Sequence, residues 1–284
     1  MRRAPSRKGI SGLKKNTVTF AVCVIFGAVM TAVNAFAAKG TAEVITRDLL
    51  GYAYAILILA ALIWLHVTGK KQFTETEPGR FIMTSWEYFF FGAAVLVISA
   101  VSFINIYPEY NQYLYRLDEV TQGPFLMTRM AFSIIGLVVG GLLLAAGSVK
   151  NSVFKNLSTT FAAIWGFAYL VSECTFFIPL PDISLYLPRL GTAVFTTLAF
   201  CYITMAGKVG LQRNAAGLRT CSGMMVIFSI SDMAFWLIYH HNVYRGMLLS
   251  SFLFAAFFGG YFIWLSLILD RKFQIPAEVT DLEI

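Results

Sequence analysis

Eight runs of about twenty mainly apolar residues succeed one another along this 284-residue chain, each bounded by charge, proline or a polar cluster. They cover residues 17–37, 49–68, 86–107, 126–148, 158–179, 189–207, 220–239 and 247–269. At a rise of about 1.5 Å per residue, a helix of that length crosses the roughly 30 Å hydrocarbon core of a bilayer. Strands are excluded as the spanning element. Open strands would leave unpaired backbone groups in hydrocarbon, and these runs are too long and continuous for barrel strands. The sequence therefore predicts an all-α fold, a polytopic transmembrane bundle of eight membrane-spanning helices. The third run is expected to stop at Pro108, the fifth at Pro179-Leu180-Pro181-Asp182, and the sixth to open at Pro188.

Composition excludes the main rival class. The chain is 58% hydrophobic and only 13% charged, where a soluble domain carries about 25% charged residues. A water-exposed exterior built from so little charge would not stay dissolved. The net charge of +7 does not signal nucleic acid, because most of the basic residues flank apolar runs on one side. Sixteen of the 22 Lys and Arg fall in the tails and alternate loops, beginning with Arg2, Arg3, Arg7, Lys8, Lys14 and Lys15. The other loops and their edges hold five: Lys39, Arg47, Arg116, Arg189 and Arg245. By the positive-inside rule both termini are expected in the cytoplasm. The expected organisation is a basic cytoplasmic tail over 1–16, one eight-helix membrane domain over 17–269 and a short cytoplasmic tail over 270–284, in the cytoplasmic (cell) membrane. Ala35-Phe36-Ala37 also reads as a signal-peptidase site, which would leave seven helices, but an apolar stretch of about 20 residues exceeds the usual 7–15 of a signal peptide.

No P-loop, G-x-S-x-G, H-E-x-x-H or dinucleotide motif occurs. The four cysteines (23, 174, 201 and 221) have no CxxC spacing and are expected as small, buried apolar residues in the interior. His66, His240 and His241 are too few and too scattered for a closed zinc site, so neither metal nor cofactor is expected. Gly136-Leu-Val-Val-Gly140 is a GxxxG pattern, read as close helix packing within one chain, with dimerisation as the alternative; Gly259-Gly260 reads the same way. The aromatic stretches Tyr88–Phe91 and Phe252–Phe262 are expected in the core or facing lipid.

Chemistry, if any, must lie in the few ionisable residues inside the apolar runs, each costing about 2.5–3.5 kcal/mol at the helix centre on insertion scales. Glu87 and His66 lie at inner ends and are expected at the interface. Arg129 is close enough to the outer end of its run to snorkel or to partner an acid. Glu173 and Asp232 lie deeper, roughly 9–11 Å below the outer surface at 1.5 Å per residue. Asn105, Tyr169 and Tyr239 fall at similar or shallower depth. Convergence of Arg129, Glu173 and Asp232 would build an external-side pocket for a cation, a zwitterion or a lipid headgroup, or an acid–base pair. The bland alternative is a buried Arg–carboxylate pair and one protonated acid that serve packing.

The segment Ile227-Phe228-Ser229-Ile230-Ser231-Asp232 resembles the F-x-x-S-D pattern in the penultimate helix of the lysoplasmalogenase-like family, eight-helix membrane enzymes that hydrolyse the vinyl-ether bond of lysoplasmalogens. The resemblance implies Asp232 as an acidic catalytic residue. The family's Gly-Asp pair in an earlier helix has no counterpart, since the third and fourth runs contain no Asp, so Glu173 would have to substitute. Three functions are thereby expected in competition. One is binding or transport of a small or amphiphilic ligand, another a membrane-embedded lipid hydrolase, and the third a sensor or complex subunit without chemistry of its own. The expected partners are the lipid bilayer, a small-molecule or lipid ligand and a membrane partner subunit or second copy of the chain. Nucleic acid is not among them.

Overall fold

The computed structural model describes the backbone of residues 7–38, 44–74, 80–81, 83–115, 123–177, 187–208, 212–239 and 245–274. These residues form eight helices: α1 (Arg7–Ala38), α2 (Val44–Thr74), α3 (Ser85–Tyr115), α4 (Gly123–Ser148), α5 (Ser152–Phe177), α6 (Leu187–Lys208), α7 (Gln212–Tyr239) and α8 (Arg245–Lys272). All eight apolar runs are thus helices in one bundle. Among the described residues six of them (α1, α2, α3, α4, α6 and α8) are long and apolar enough to cross a membrane.

α7 and α5 carry polar residues along the bundle interior. α7 is buried on every face from residue 214 to 229, packed among α1, α2, α6 and α8. A helix that meets protein all round need not be apolar, and α7 accordingly carries Arg219, Thr220, Ser222, Ser229 and Ser231 inside. α5 begins with Lys155, Asn156, Ser158, Thr159 and Thr160 in its first turns and holds Glu173 near its end.

Sequential neighbours pack against one another from α3 to α8, and α8 closes back on α3. Their shared core is dominated by aromatic rings, among them Phe91, Phe132, Trp165, Tyr169, Phe200, Phe254, Phe258 and Phe262. α1 and α2 lie outside this group and pack chiefly on α7 through Cys23, Met30, Tyr54, Leu65, Met224 and Phe228. The outward faces are strongly apolar, with Ile25, Ile56, Leu59, Ile63, Ile134, Val138 and Phe167 exposed. Such a continuous apolar exterior suits hydrocarbon and not water.

The GxxxG segment packs within the chain. A Cβ on Gly136 would fall 1.9 Å from Ser99 Oγ and 2.4 Å from Trp165 Nε1, and one on Gly140 would fall 2.6 Å from Leu96 Cγ. The absence of side chains at both positions is what brings α4 against α3. Gly259 plays the same part against Ser229 of α7. Cys23 and Cys221 are buried, but Cys174 is exposed on the outward face, a correction to the expectation that all four are interior; all four are free thiols.

Pro108 does not end its helix. α3 continues through it to Tyr115. The proline and the residue four before it, Ile104, both lie on the exposed face at the end of the apolar run, beside Glu109. There the ring meets no neighbouring helix among the described residues, and water and headgroups can reach the freed carbonyl. At the opposite end of the bundle a two-residue ribbon pairs β1 (Arg80–Phe81) with β2 (Phe273–Gln274), antiparallel, with Arg80 opposite Gln274 and Phe81 opposite Phe273. The Phe273 ring packs edge-on against Phe81 and Phe73, which ties the ends of α2 and α8 together.

Candidate functional site

The first turns of α4, α6 and α8 and the last turns of α5 and α7 meet at one end of the bundle. Glu173 of α5 is the centre of the polar contacts there. Its Oε1 lies 2.6 Å from Arg129 Nη1 and its Oε2 lies 2.6 Å from Arg189 Nε. Arg189 Nη2 donates a second bond to Oε1 at 3.1 Å, and Ser251 of α8 donates to the same oxygen at 3.3 Å. The other arm of Arg129 donates to Ser250 Oγ at 2.5 Å and to Ser251 Oγ at 3.2 Å. One carboxylate thus joins four helices. All three charged side chains are inside the protein, Arg129 and Glu173 with at most 1% exposure and Arg189 with 5%.

Aromatic rings complete the surroundings. The Arg129 guanidinium lies 5.1 Å from the Phe132 centroid and 5.3 Å from that of Tyr169, and Arg189 lies 5.4 Å from Phe176. Ring faces stabilise cations that have lost their water, by about 2 kcal/mol or more when desolvated. Tyr169 is itself stacked on Phe254 with centroids 4.0 Å apart. The site is therefore preorganised by packing, and its charges are held in place by bonds short enough to be charge-assisted.

Each sequence-derived candidate can now be placed. Arg129 and Glu173 converge, and Arg129 turns inward to the acid instead of snorkelling to the surface. Tyr169 is part of the cluster's wall. Asp232 is not bonded to the arginines. It is half-buried on α7, within electrostatic range of Arg189 and Glu173, and among the described residues it accepts no hydrogen bond and forms no ion pair. Asn105 is half-buried on α3 and takes no part in the bonds to Glu173. Tyr239 closes α7, but its side chain, like His240 and His241, lies outside the described residues.

Arg189 was not expected here. As a charge just after Pro188 it counts as an outer-loop arginine, yet α6 begins at Leu187 with Pro188 in its first turn, so Arg189 falls in that turn too and is buried in the bundle. The readable signal was position: helix α6 enters from the same side as α4, which puts Arg189 at a depth comparable with that of Arg129.

A second buried ion pair stands at the other end of the bundle and corrects the placement of Glu87 at an interface. Glu87 is wholly buried. It pairs with Lys272 at the end of α8, accepts a hydrogen bond from Tyr261 at 2.8 Å, and takes the backbone N–H and hydroxyl of Thr84 at 2.7 Å each. Thr84-Ser85-Trp86-Glu87 is a capping-box sequence, in which the third helical residue reaches back to the cap. Lys272 also lies 5.3 Å from the Trp264 ring. On α7, Arg219 donates to Asn16 at 3.2 Å and to Thr19 at 2.6 Å of α1. No group of three or more His, Cys, Asp or Glu able to hold a metal occurs among the described residues.

Fold and site together define a multi-pass helical membrane protein. No family model matches the chain, and comparison with curated proteins and with solved structures gave no match. The resemblance of the α7 segment to the lysoplasmalogenase-like pattern thus rests on that segment alone.

Proposed function

We propose that this protein spans the cytoplasmic membrane eight times with both termini inside, and binds a small or amphiphilic ligand at the outer end of the bundle. Asp232 is the residue in direct contact, and it receives a cationic group of the ligand. The observation that carries this reading is the condition of the Asp232 carboxylate. It lies well inside an otherwise largely apolar bundle, half-buried, with neither hydrogen bond nor ion pair among the described residues. A carboxyl in such a place costs about 2.5–3.5 kcal/mol on insertion scales, and helix packing recovers none of that cost through a bond.

The neighbouring charges favour a zwitterion. Two guanidiniums facing Glu173 leave a formal excess of one positive charge, and Asp232 brings the group to neutrality. A ligand carrying both an ammonium and an acidic group keeps that balance in a medium where net charge is expensive. The hydrolase reading has less support, since it needs Glu173 as a second working acid and both its oxygens are taken by arginines. A purely structural role would account for Asp232 as a charge that balances the arginines, but not for a carboxylate that makes no bond to them.

The test uses lyso-lipids of one chain length bearing phosphoethanolamine, phosphocholine or phosphoglycerol headgroups, titrated onto the protein in nanodiscs. Tighter binding of the two zwitterionic headgroups, lost in Asp232→Asn without loss of thermal stability, is the expected result. A headgroup preference that survives Asp232→Asn overturns the assignment.

A further inference from the structure

A groove of about 250 Å³ opens between α3 and α8, away from the Glu173 cluster. Its walls are aromatic: Trp86 and Phe90 from α3, Phe257 and Trp264 from α8. Trp86 and Trp264 meet edge to face with centroids 4.9 Å apart and close one end. The floor is Ala256 and Gly260, and a Cβ on Gly260 would meet nothing within 4 Å, so open space begins at the helix backbone. Tyr261 lines the groove with its ring while its hydroxyl is turned away to Glu87.

Three properties fix what can occupy it. Both lining segments belong to stretches apolar enough to cross a membrane, Ser85–Asn111 and Leu249–Leu269, so the medium that reaches the groove is hydrocarbon. Its walls supply rings and small apolar groups, which suit an alkyl chain and would desolvate a charge without repayment. Its volume falls below the roughly 300–1,000 Å³ of pockets for compact small molecules, which leaves a slender occupant. The two tryptophans lie towards the helix ends that carry the Glu87–Lys272 pair, the level at which indole rings sit beside lipid headgroups.

We propose that the α3–α8 groove is a binding site for one acyl chain of a membrane phospholipid, separate from the outer-end ligand site. The seated chain packs against the Tyr261 ring and so abuts the clamp that Tyr261, Glu87 and Lys272 form at that end of the bundle. Lipid occupancy is thereby linked to the contact that holds the end of α8 to the start of α3.

The probe is a phosphatidylcholine with a diazirine midway along one acyl chain, incorporated in nanodiscs with the full chain, photolysed, and mapped by mass spectrometry. Adducts on Trp86, Phe90, Phe257 and Trp264 are expected to exceed several-fold those on Ile134 and Val138, which are at least as exposed on the outward face of α4. Gly260→Leu, which fills the floor, should bring the groove down to the level of that α4 stripe. Gly141→Leu, at a glycine with equally open surroundings, should leave the excess intact. Equal labelling of groove and stripe in the wild-type protein overturns the proposal, as does an excess that persists in folded Gly260→Leu. The wild-type comparison decides the matter by itself should Gly260→Leu not fold.

Discussion

Arg189 Nε stands 2.6 Å from Glu173 Oε2, and this contact fastens the first turn of α6 to the end of α5. Because Arg129 holds the other oxygen at the same distance, the carboxylate is shared between two cations that have no water to retreat to. The physical consequence is asymmetric. The intact group contributes little net stability, since desolvating three charges offsets most of their attraction, whereas removal of one member leaves the others uncompensated.

Glu173→Gln should therefore destabilise the protein by about 3–5 kcal/mol, the usual cost of breaking a buried ion pair from one side. Thermal unfolding in detergent micelles, compared with wild type, checks it. Arg189→Met in the Glu173→Gln background should cost less than the sum of the two single changes, because the second removes a cation the first had orphaned.

The clamp at the opposite end makes a parallel prediction with finer grain. Lys272→Met leaves the Glu87 carboxylate buried with three neutral donors, Tyr261 and the two groups of Thr84, and should cost about 3–5 kcal/mol as a broken buried pair. Tyr261→Phe removes one donor only and should cost about 1–3 kcal/mol. The same unfolding assay ranks the two, and a reversed order would contradict the arrangement.

Two glycines of α4 should respond oppositely. Gly136→Ala sets a methyl where Ser99 Oγ and Trp165 Nε1 already lie, and overpacking of that kind costs about 1–3 kcal/mol. Ser99→Gly should restore part of it, since it removes the closest atoms. Gly141→Ala meets open space and should be neutral or stabilising.

Much of this molecule is written in the period and length of its apolar runs. The eight helices follow from the runs alone, because a segment of some twenty apolar residues in hydrocarbon has only one way to satisfy its backbone. The pairing of Arg129 with Glu173 was legible too, since depth along a helix can be counted. What escaped was direction around the helix axis. Glu87 reads as a headgroup-level acid until Tyr261 and Lys272, more than 170 positions away, are seen to close over it. Arg189 was masked by its own usefulness as a topology charge. Pro108 looked like a stop because the sequence does not say that its face is exposed.

The topology itself has a direct check. In a cysteine-free background, single cysteines at Lys70 or Lys150 should react with an impermeant maleimide only after cells are opened, and one at Arg245 should react in intact cells. The reverse pattern would invert the orientation on which the outer-end site depends.

The central claim is a division of labour: Glu173 is fastened structure, Asp232 is the group left available. Dicyclohexylcarbodiimide, which enters membranes and modifies carboxyl groups that can be protonated and reached, distinguishes them in one experiment read by peptide mapping. An adduct on Asp232, suppressed by a zwitterionic lyso-lipid, with Glu173 and Glu87 unmodified, is the predicted result. Modification of Glu173 with Asp232 untouched would contradict the account.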